Sequence, residues 1–125
     1  MPMRVFECDP SEVKALKKVL EYDPYLDKAL NEEQLKKLRD DKLANVIFVR
    51  QKYDLREGRA IGINESKFFL YIEAPEEFLS LAEEKLKKEF KSVKRASPEI
   101  EGKFASVIKE EEEKANQGFG AIFGG

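Results

Sequence analysis

Hydrophobic residues recur along this chain with two different periods, and the changes of period divide it into strands and helices. Residues 3–8 are rich in β-forming side chains and predict a first strand. Between residues 10 and 41 the hydrophobic positions recur every three or four residues, which is the spacing of one helix face. This segment therefore predicts two or three consecutive helices.

Two start signals accompany the helical segment. An Asp-Pro-Ser-Glu sequence at 9–12 predicts a cap at Asp9 with proline in the first helical position. Asn31, followed three residues later by Gln34, predicts a capping box and a helix that runs to about residue 41.

Beyond residue 41 the hydrophobic residues become continuous or alternate with polar ones, which is typical of strands. The Val-Ile-Phe-Val run at 46–49 predicts a buried central strand, which continues with alternating polar and apolar residues to residue 56. Residues 59–63 and 68–73 predict a second and a third strand. The segment 45–73 therefore predicts a three-strand antiparallel meander.

Two glycines in this segment receive different roles. Gly58 follows Glu57 in a tight turn and is predicted to supply a positive φ angle. Gly62 lies inside the second predicted strand, where a glycine indicates a bulge or a close approach of another backbone.

The C-terminal third predicts two helices around a weak strand. A long apolar stripe after Pro75 indicates the clearest helix of the chain, and the basic residues of 91–96 predict a charged edge strand. A last helix is predicted to begin at Pro98 and to fray towards Asn116. The glycine-rich end of the chain is predicted not to be helical.

The resulting element order predicts an α+β two-layer sandwich, in which helices cover an antiparallel sheet of the meander, the first strand and the weak edge strand. This order resembles a ferredoxin-like fold with an extra hairpin strand and a C-terminal helix added. We expect a single domain at 1–117, followed by a Gly/Phe-rich tail at 118–125.

Composition excludes several kinds of chemistry. The chain of 125 residues contains no histidine and one cysteine. We therefore expect neither histidine-based proton transfer nor a Cys/His zinc site, and we predict no catalytic residue, cofactor or metal site. A single cysteine allows no internal disulfide, and we expect a cytoplasmic protein.

Charge narrows the range of partners. Charged residues make up 38% of the chain with a net charge of -2, whereas general nucleic-acid binders carry a marked basic excess. The abundance of Glu and Lys and the scarcity of thermolabile residue types are typical of proteins from thermophiles.

A cluster of cations in the predicted hairpin is the first candidate site. It consists of Arg50, Lys52, Arg56 and Arg59. In an extended strand the first three share a face, and such a stripe could bind nucleic acid or another anionic ligand. The alternative is an ordinary solvated face in which Asp54 and Glu57 pair with the arginines.

The C-terminal tail is the second candidate. It carries Phe119, Ile122 and Phe123 among glycines. Large apolar side chains at a chain end indicate docking, either on the same domain, on a second copy or on another protein. The sequence does not distinguish docking in cis from docking in trans.

The remaining candidates have simpler explanations. Cys8 is predicted to be a small buried hydrophobic residue, because no histidine is present to activate it. The acidic run at 110–113 indicates a solvated helix end, since consecutive helical residues do not converge on one ion. Glu73, Glu76 and Glu77 form a second carboxylate set at a strand-to-helix junction.

These observations favour a non-catalytic module that acts through protein association and forms a homo-oligomer. Binding of nucleic acid or another anion through the basic hairpin 50–59 is the alternative. An enzyme that uses only carboxylates or lysine is a third possibility with less support.

Overall fold

The computed structural model describes the backbone of residues 2–123 and the side chains of residues 2–116. Over this part the chain forms four strands and four α-helices. In chain order they are β1 (Met3–Cys8), α1 (Val13–Glu21), α2 (Glu32–Asp40), β2 (Lys52–Glu57), β3 (Phe68–Glu73), α3 (Glu76–Glu89), β4 (Lys94–Arg95) and α4 (Pro98–Phe123). Short 3-10 turns lie at Pro24–Leu26, Phe48–Arg50 and Gly58–Ile61.

The four strands form one antiparallel sheet in the order β2-β3-β1-β4. The helices α1 and α2 connect β1 to β2, and α3 connects β3 to β4, so each connection crosses over one intervening strand. This is the order of a split β-α-β arrangement. The predicted α+β class, the antiparallel sheet and the ferredoxin-like element order are confirmed.

Alternating side chains of the sheet face two separate hydrophobic clusters. Leu70 and Ile72 of β3 face α1 and α3, which together with the sheet form the two-layer α+β unit. Phe69 and Tyr71, on the opposite face, pack against α4. Because β1 and β3 bury residues on both faces, they form the centre of the molecule.

The first strand of the predicted meander, which begins at residue 45, is confirmed only in its second part, where β2 spans Lys52–Glu57. Residues 46–49 do not pair with the sheet: Phe48–Arg50 is a 3-10 turn, closed by a hydrogen bond from the Gln51 N–H to the Phe48 carbonyl (2.9 Å). Phe48 is buried and meets Phe78 of α3 edge to face, with ring centroids 6.0 Å apart. The hydrophobic run therefore contributes buried side chains to the core and does not add a strand to the sheet.

The second predicted strand is also wrong, and the two glycines exchange roles. Residues Gly58–Ile61 form a 3-10 turn that ends at Gly62, which has a φ of 75° and is the one described glycine with a positive φ. Gly58 is needed for a different reason. A Cβ on Gly58 would lie 2.7 Å from the Glu65 carbonyl oxygen and 3.1 Å from that of Ile63.

This close approach predicts a large cost for one methyl group. Changing Gly58 to alanine is expected to lower the free energy of unfolding by about 2 kcal/mol, because backbone atoms cannot move aside as flexible side chains do. Changing Gly102 to alanine is the matched control, since a Cβ there has no neighbour within 4 Å among the described atoms. The control is expected to gain about 0.5–1 kcal/mol from helix propensity. Equal urea midpoints for the two variants would contradict the close approach.

The first helix begins later than predicted. Residues 9–12 form a turn in which the Glu12 N–H donates to the Asp9 carbonyl (3.0 Å), and α1 starts at Val13 without a side-chain cap. The Glu12 carboxylate instead accepts hydrogen bonds from the backbone and the hydroxyl group of Ser92, before β4. The capping box of Asn31 and Gln34 is confirmed on α2.

The last helix is longer than predicted. The backbone of α4 stays helical as far as Phe123, so the expectation of a non-helical tail from residue 118 is wrong. Glycine in a helix costs about 1 kcal/mol relative to alanine and does not by itself end the helix. With 26 residues, α4 is about 39 Å long.

Candidate functional site

The candidate site lies between β2 and α4. On β2, Tyr53 and Leu55 face the larger hydrophobic cluster, so the intervening positions 52, 54 and 56 project from the α4 side of the sheet. On this side α4 runs from β1, where Glu101 contacts Val5, past Tyr71 of β3 to β2. The acidic run of α4 therefore arrives above the basic stripe of β2.

Arg56 is held by two carboxylates. Its guanidinium group donates to Asp54 (Nη2 to Oδ2, 2.7 Å) and to Glu111 of α4 (Nη2 to Oε1, 2.7 Å). A second hydrogen bond joins Nη1 to the other Glu111 oxygen, so the contact with α4 is bidentate. The same guanidinium group lies 5.9 Å above the centroid of the Phe104 ring.

Lys52 has a similar environment. Its ammonium group lies 2.9 Å from a carboxylate oxygen of Glu73, its partner across the sheet, and it also contacts Glu112 of α4. The two adjacent glutamates of α4 thus reach two cations of β2 that are four residues apart. We call the group of Lys52, Arg56, Glu111 and Glu112 the β2–α4 seam.

Proton affinities in the seam follow from these contacts. The hydrogen bond to Glu112, supported by that to Glu73, raises the pKa of Lys52 above its usual value. Hydrogen bonds to Glu111 and Asp54 raise the pKa of Arg56. The hydrogen bond from Arg56 lowers the pKa of Glu111. All three groups are therefore ionised at neutral pH.

The other two predicted cations lie elsewhere. Arg50 belongs to the 3-10 turn before β2, where it donates to Asp23 (Nε to Oδ2, 3.0 Å) and lies 5.0 Å from the ring centroid of Tyr25. Arg59 is exposed in the turn after β2, and it has no ion pair or side-chain hydrogen bond with residues 2–116. The structure therefore brings together two of the four predicted residues.

The predicted pairing of Asp54 with an arginine is present, but Glu57 takes no part in it. The stronger partners, Glu111 and Glu112, come from the acidic run, for which we had expected only contact with solvent. The basic stripe of β2 and the acidic run of α4, which the sequence presents as separate candidates, therefore contact each other.

The apolar tail residues cannot be assigned to a site. Phe119, Ile122 and Phe123 lie beyond the described side chains, so their predicted docking remains a prediction. The described part of α4 buries Phe104 and Ile108 against the sheet, and residues 109–116 are all exposed.

Cys8 is buried, as predicted, and its thiol donates to the Asp9 carbonyl (3.4 Å). Burial raises the pKa of this thiol and keeps it protonated. The carboxylate set at the β3–α3 junction is divided between two cations: Glu73 pairs with Lys52, whereas Glu76 pairs with Arg4. Among the described residues, no group of three or more acidic or cysteine side chains is arranged to hold a metal ion.

Concave surfaces on the described chain are open. One of them, of about 650 Å³, is lined by Glu32, Glu33, Leu35, Lys36 and Arg39, which all belong to α2. A depression lined by one helix does not enclose a ligand, and these side chains do not form a nucleophile–base pair.

Two polar clusters were missed at the level of sequence. Glu101 is the buried charged residue of α4, and it accepts a hydrogen bond from the Val5 backbone and pairs with Arg95. The ring of Tyr25 lies within 6 Å of the guanidinium groups of both Arg39 and Arg50. For Glu101, the only local signal in the sequence is that it is an acidic residue in the first turn of a helix. A favourable interaction with the helix dipole already explains such a residue, so the sequence does not indicate a buried hydrogen bond.

Comparison with known proteins finds no counterpart: no family model, no curated protein and no solved structure matches the chain. Within residues 2–123 no helix has both the length and the apolar composition needed to cross a membrane. Function must therefore be argued from the physical properties of the chain itself.

Proposed function

We propose that this protein is a non-catalytic association module that forms homo-oligomers through the C-terminal end of α4. The observation that supports this proposal is the length of α4 beyond the last buried residue among its described side chains. Ile108 is the last described side chain of α4 that is buried, yet the helical backbone continues to Phe123.

A helix of that length needs support. Isolated helices shorter than about 12–15 residues are marginal in water, and most helical stability in proteins comes from packing an apolar face. The side chains of residues 109–116 are all exposed, so they add no buried apolar contact to the domain. The acidic run at 110–113 also brings like charges together, which destabilises a helix. The apolar residues that could supply packing lie further on, at Phe119, Ile122 and Phe123.

The spacing of these residues suits one side of a helix. Ala115, Phe119 and Ile122 follow one another at intervals of four and three, and Phe123 is adjacent. Two such helices from two copies would bury these apolar side chains against each other. A second copy is the simplest partner, because a self-complementary patch closes a symmetric dimer.

The proposal extends to where and how the module acts. We place it in the cytoplasm, since the single cysteine forms no internal disulfide. The Lys- and Glu-rich composition and the ion pairs that join strands to helices agree with an origin in a thermophile.

Nucleic-acid binding through the basic hairpin is less well supported than association. Three of the four cations, Arg50, Lys52 and Arg56, already have carboxylate partners, which reduces the positive charge available to phosphate groups. Arg59 alone would supply little affinity.

Association can be tested by measuring mass in solution. The full chain is expected to have a mass that is a multiple of 14.4 kDa by light scattering, and a chain that ends after Asn116 is expected to be a monomer. In the full chain, changing Phe119 to aspartate is expected to raise the dissociation constant of the oligomer at least about tenfold, since burying a phenylalanine contributes about 1.5–3 kcal/mol.

Leu26 provides the matched control, because it is the most exposed large hydrophobic side chain described (77% exposed) and lies far from α4 in sequence. Changing Leu26 to aspartate makes the same chemical change and should leave the mass unaltered. A full chain that scatters as a monomer would refute the proposal. An oligomer that survives the Phe119 change would exclude α4 as its interface.

A further inference from the structure

Contacts along α4 are divided into two kinds. Its first half is attached to the sheet by buried hydrophobic residues, above all Phe104 and Ile108. Beyond Ile108 the described contacts with the domain are those of the β2–α4 seam, in which Glu111 and Glu112 meet Arg56 and Lys52. The described residues beyond Ile108, 109–116, are therefore attached to the domain by charge and bury no apolar side chain.

Exposure of the seam makes it sensitive to solvent. The side chains of Glu111, Glu112 and Lys52 are each about half exposed (50%, 53% and 50%). Exposed ion pairs weaken as salt screens them: the Debye length falls from about 30 Å at 0.01 M to about 3 Å at 1 M ionic strength. Buried apolar contacts do not weaken in this way, so salt acts on one half of α4 and spares the other.

From this difference we propose that the β2–α4 seam is an electrostatic latch, which holds residues 109–116 of α4 on the sheet at low ionic strength and neutral pH and releases them when the seam is screened or protonated. With the latch closed, the helix is fixed above β2. With the latch open, the described contacts that remain between α4 and the domain are those of its first half. This device goes beyond the association proposal and does not require it to be true.

Charged groups around the seam come from three elements. They are Asp54 on β2, Glu73 and Tyr71 on β3, and Lys114 on α4, in addition to the four residues of the latch. Asp54 and Glu73 remain beside the cations when the latch opens. The cations are thus partly neutralised in both states, and this lowers the cost of release.

Acid acts on the latch through Glu111. Its pKa is lowered in the folded protein by the hydrogen bond from Arg56, so the docked state is favoured above the ordinary value of 4.5 and loses this contribution as the pH falls through the lowered value. The latch is therefore expected to stay closed throughout the neutral range and to open in acid.

Amide hydrogen exchange on the full-length protein tests the latch directly. At low salt, the double variant Glu111→Gln/Glu112→Gln is expected to exchange its amides at 109–116 about tenfold faster than the unmodified chain. A factor of this size is in the range expected for the loss of two exposed ion pairs. Amides at 100–108 should keep their protection. In 1 M NaCl the unmodified chain should exchange as fast as the variant.

The matched control is Glu110→Gln/Glu113→Gln. It changes the same number of charges in the same run and preserves helix propensity, but neither residue forms an ion pair with any described side chain. If both double variants exchange alike, or if exchange at 109–116 of the unmodified chain ignores salt, the latch does not exist. Because light scattering reports mass and exchange reports docking, either proposal can fail while the other stands.

Discussion

Replacing Glu101 with alanine is expected to lower the free energy of unfolding by about 3 kcal/mol. Glu101 is buried in the first turn of α4 (8% exposed). The Oε2 oxygen of its carboxylate accepts two hydrogen bonds, one from the Val5 N–H (3.0 Å) and one from Arg95 Nε (2.9 Å). Removing the side chain leaves a buried donor without an acceptor and an arginine without its counter-charge.

The need for this carboxylate follows from the short edge strand. The β4 strand pairs with β1 at Phe6 and Glu7, and the Ala96 N–H still donates to the Val5 carbonyl (2.8 Å). The chain then turns into α4 at Pro98, so no further carbonyl of an edge strand is placed opposite the Val5 N–H. Glu101 accepts that hydrogen bond in place of a strand, because nearly every buried backbone donor in a folded protein is paired.

Two further variants separate the hydrogen bond from general effects of charge. Changing Glu101 to glutamine keeps an acceptor oxygen for Val5 and should cost about half as much as alanine, provided that the amide points its oxygen inward. Glu99 lies in the same helical turn but is exposed, so changing it to alanine removes the same interaction with the helix dipole and should cost less than about 1 kcal/mol. Urea unfolding of the three variants provides the comparison. A loss at Glu101 no larger than that at Glu99 would contradict the assigned role.

Elements specified by their own residues were predicted from the sequence. The capping box at Asn31 depends on two side chains three positions apart, and it forms as expected. The helix after Pro75 has both a long apolar stripe and charges arranged to suit its dipole, and it spans Glu76–Glu89. The strands 3–8 and 68–73 have β-forming residues on both faces and lie at the centre of the sheet.

The hydrophobic runs at 46–49 and 59–63 do not form the predicted strands, for a common reason. Hydrophobicity indicates that a segment is buried, but it does not decide whether the backbone is extended or turned. Phe48 is buried beside Phe78 from a 3-10 turn that leads into β2, and Ile61 is buried from the 3-10 turn that ends at Gly62. Both segments therefore bury hydrophobic side chains without pairing in the sheet.

The candidate site could also be predicted only in part. Alternation along β2 correctly placed Lys52 and Arg56 on one face. Their partners Glu111 and Glu112 are 55 and 60 residues away in sequence, on a helix whose path across the sheet has no local signal. An even balance of Lys and Glu across a chain indicates that such pairs exist, but it does not identify them.

Replacing Phe104 with alanine is expected to lower the free energy of unfolding by about 4 kcal/mol, the largest effect expected of any single change considered. Phe104 is fully buried in the smaller hydrophobic cluster, with its ring centroid 5.5 Å from that of Tyr71. Apart from α4, the only described non-strand segments that contribute to this cluster are the turn at 61–63 and Ala96. Few neighbours are therefore able to move into the space that the ring leaves.

Urea unfolding measures this loss, and leucine at the same position is the control. Leucine retains most of the volume and should cost no more than about 1.5 kcal/mol. If alanine lowers the stability by less than about 1 kcal/mol, the first half of α4 is not held by this contact.

Loss of Phe104 should also affect the charged half of the helix. The Arg56 guanidinium lies over the Phe104 ring while it pairs with Glu111, so the ring limits the positions that the guanidinium can adopt. Without the ring, Arg56 loses this restraint, and its pair with Glu111 costs more side-chain entropy to form. In a double-mutant cycle, Phe104→Ala and Glu111→Gln should therefore be non-additive by at least about 0.5 kcal/mol. Additive losses would mean that the apolar and charged halves of α4 are held independently.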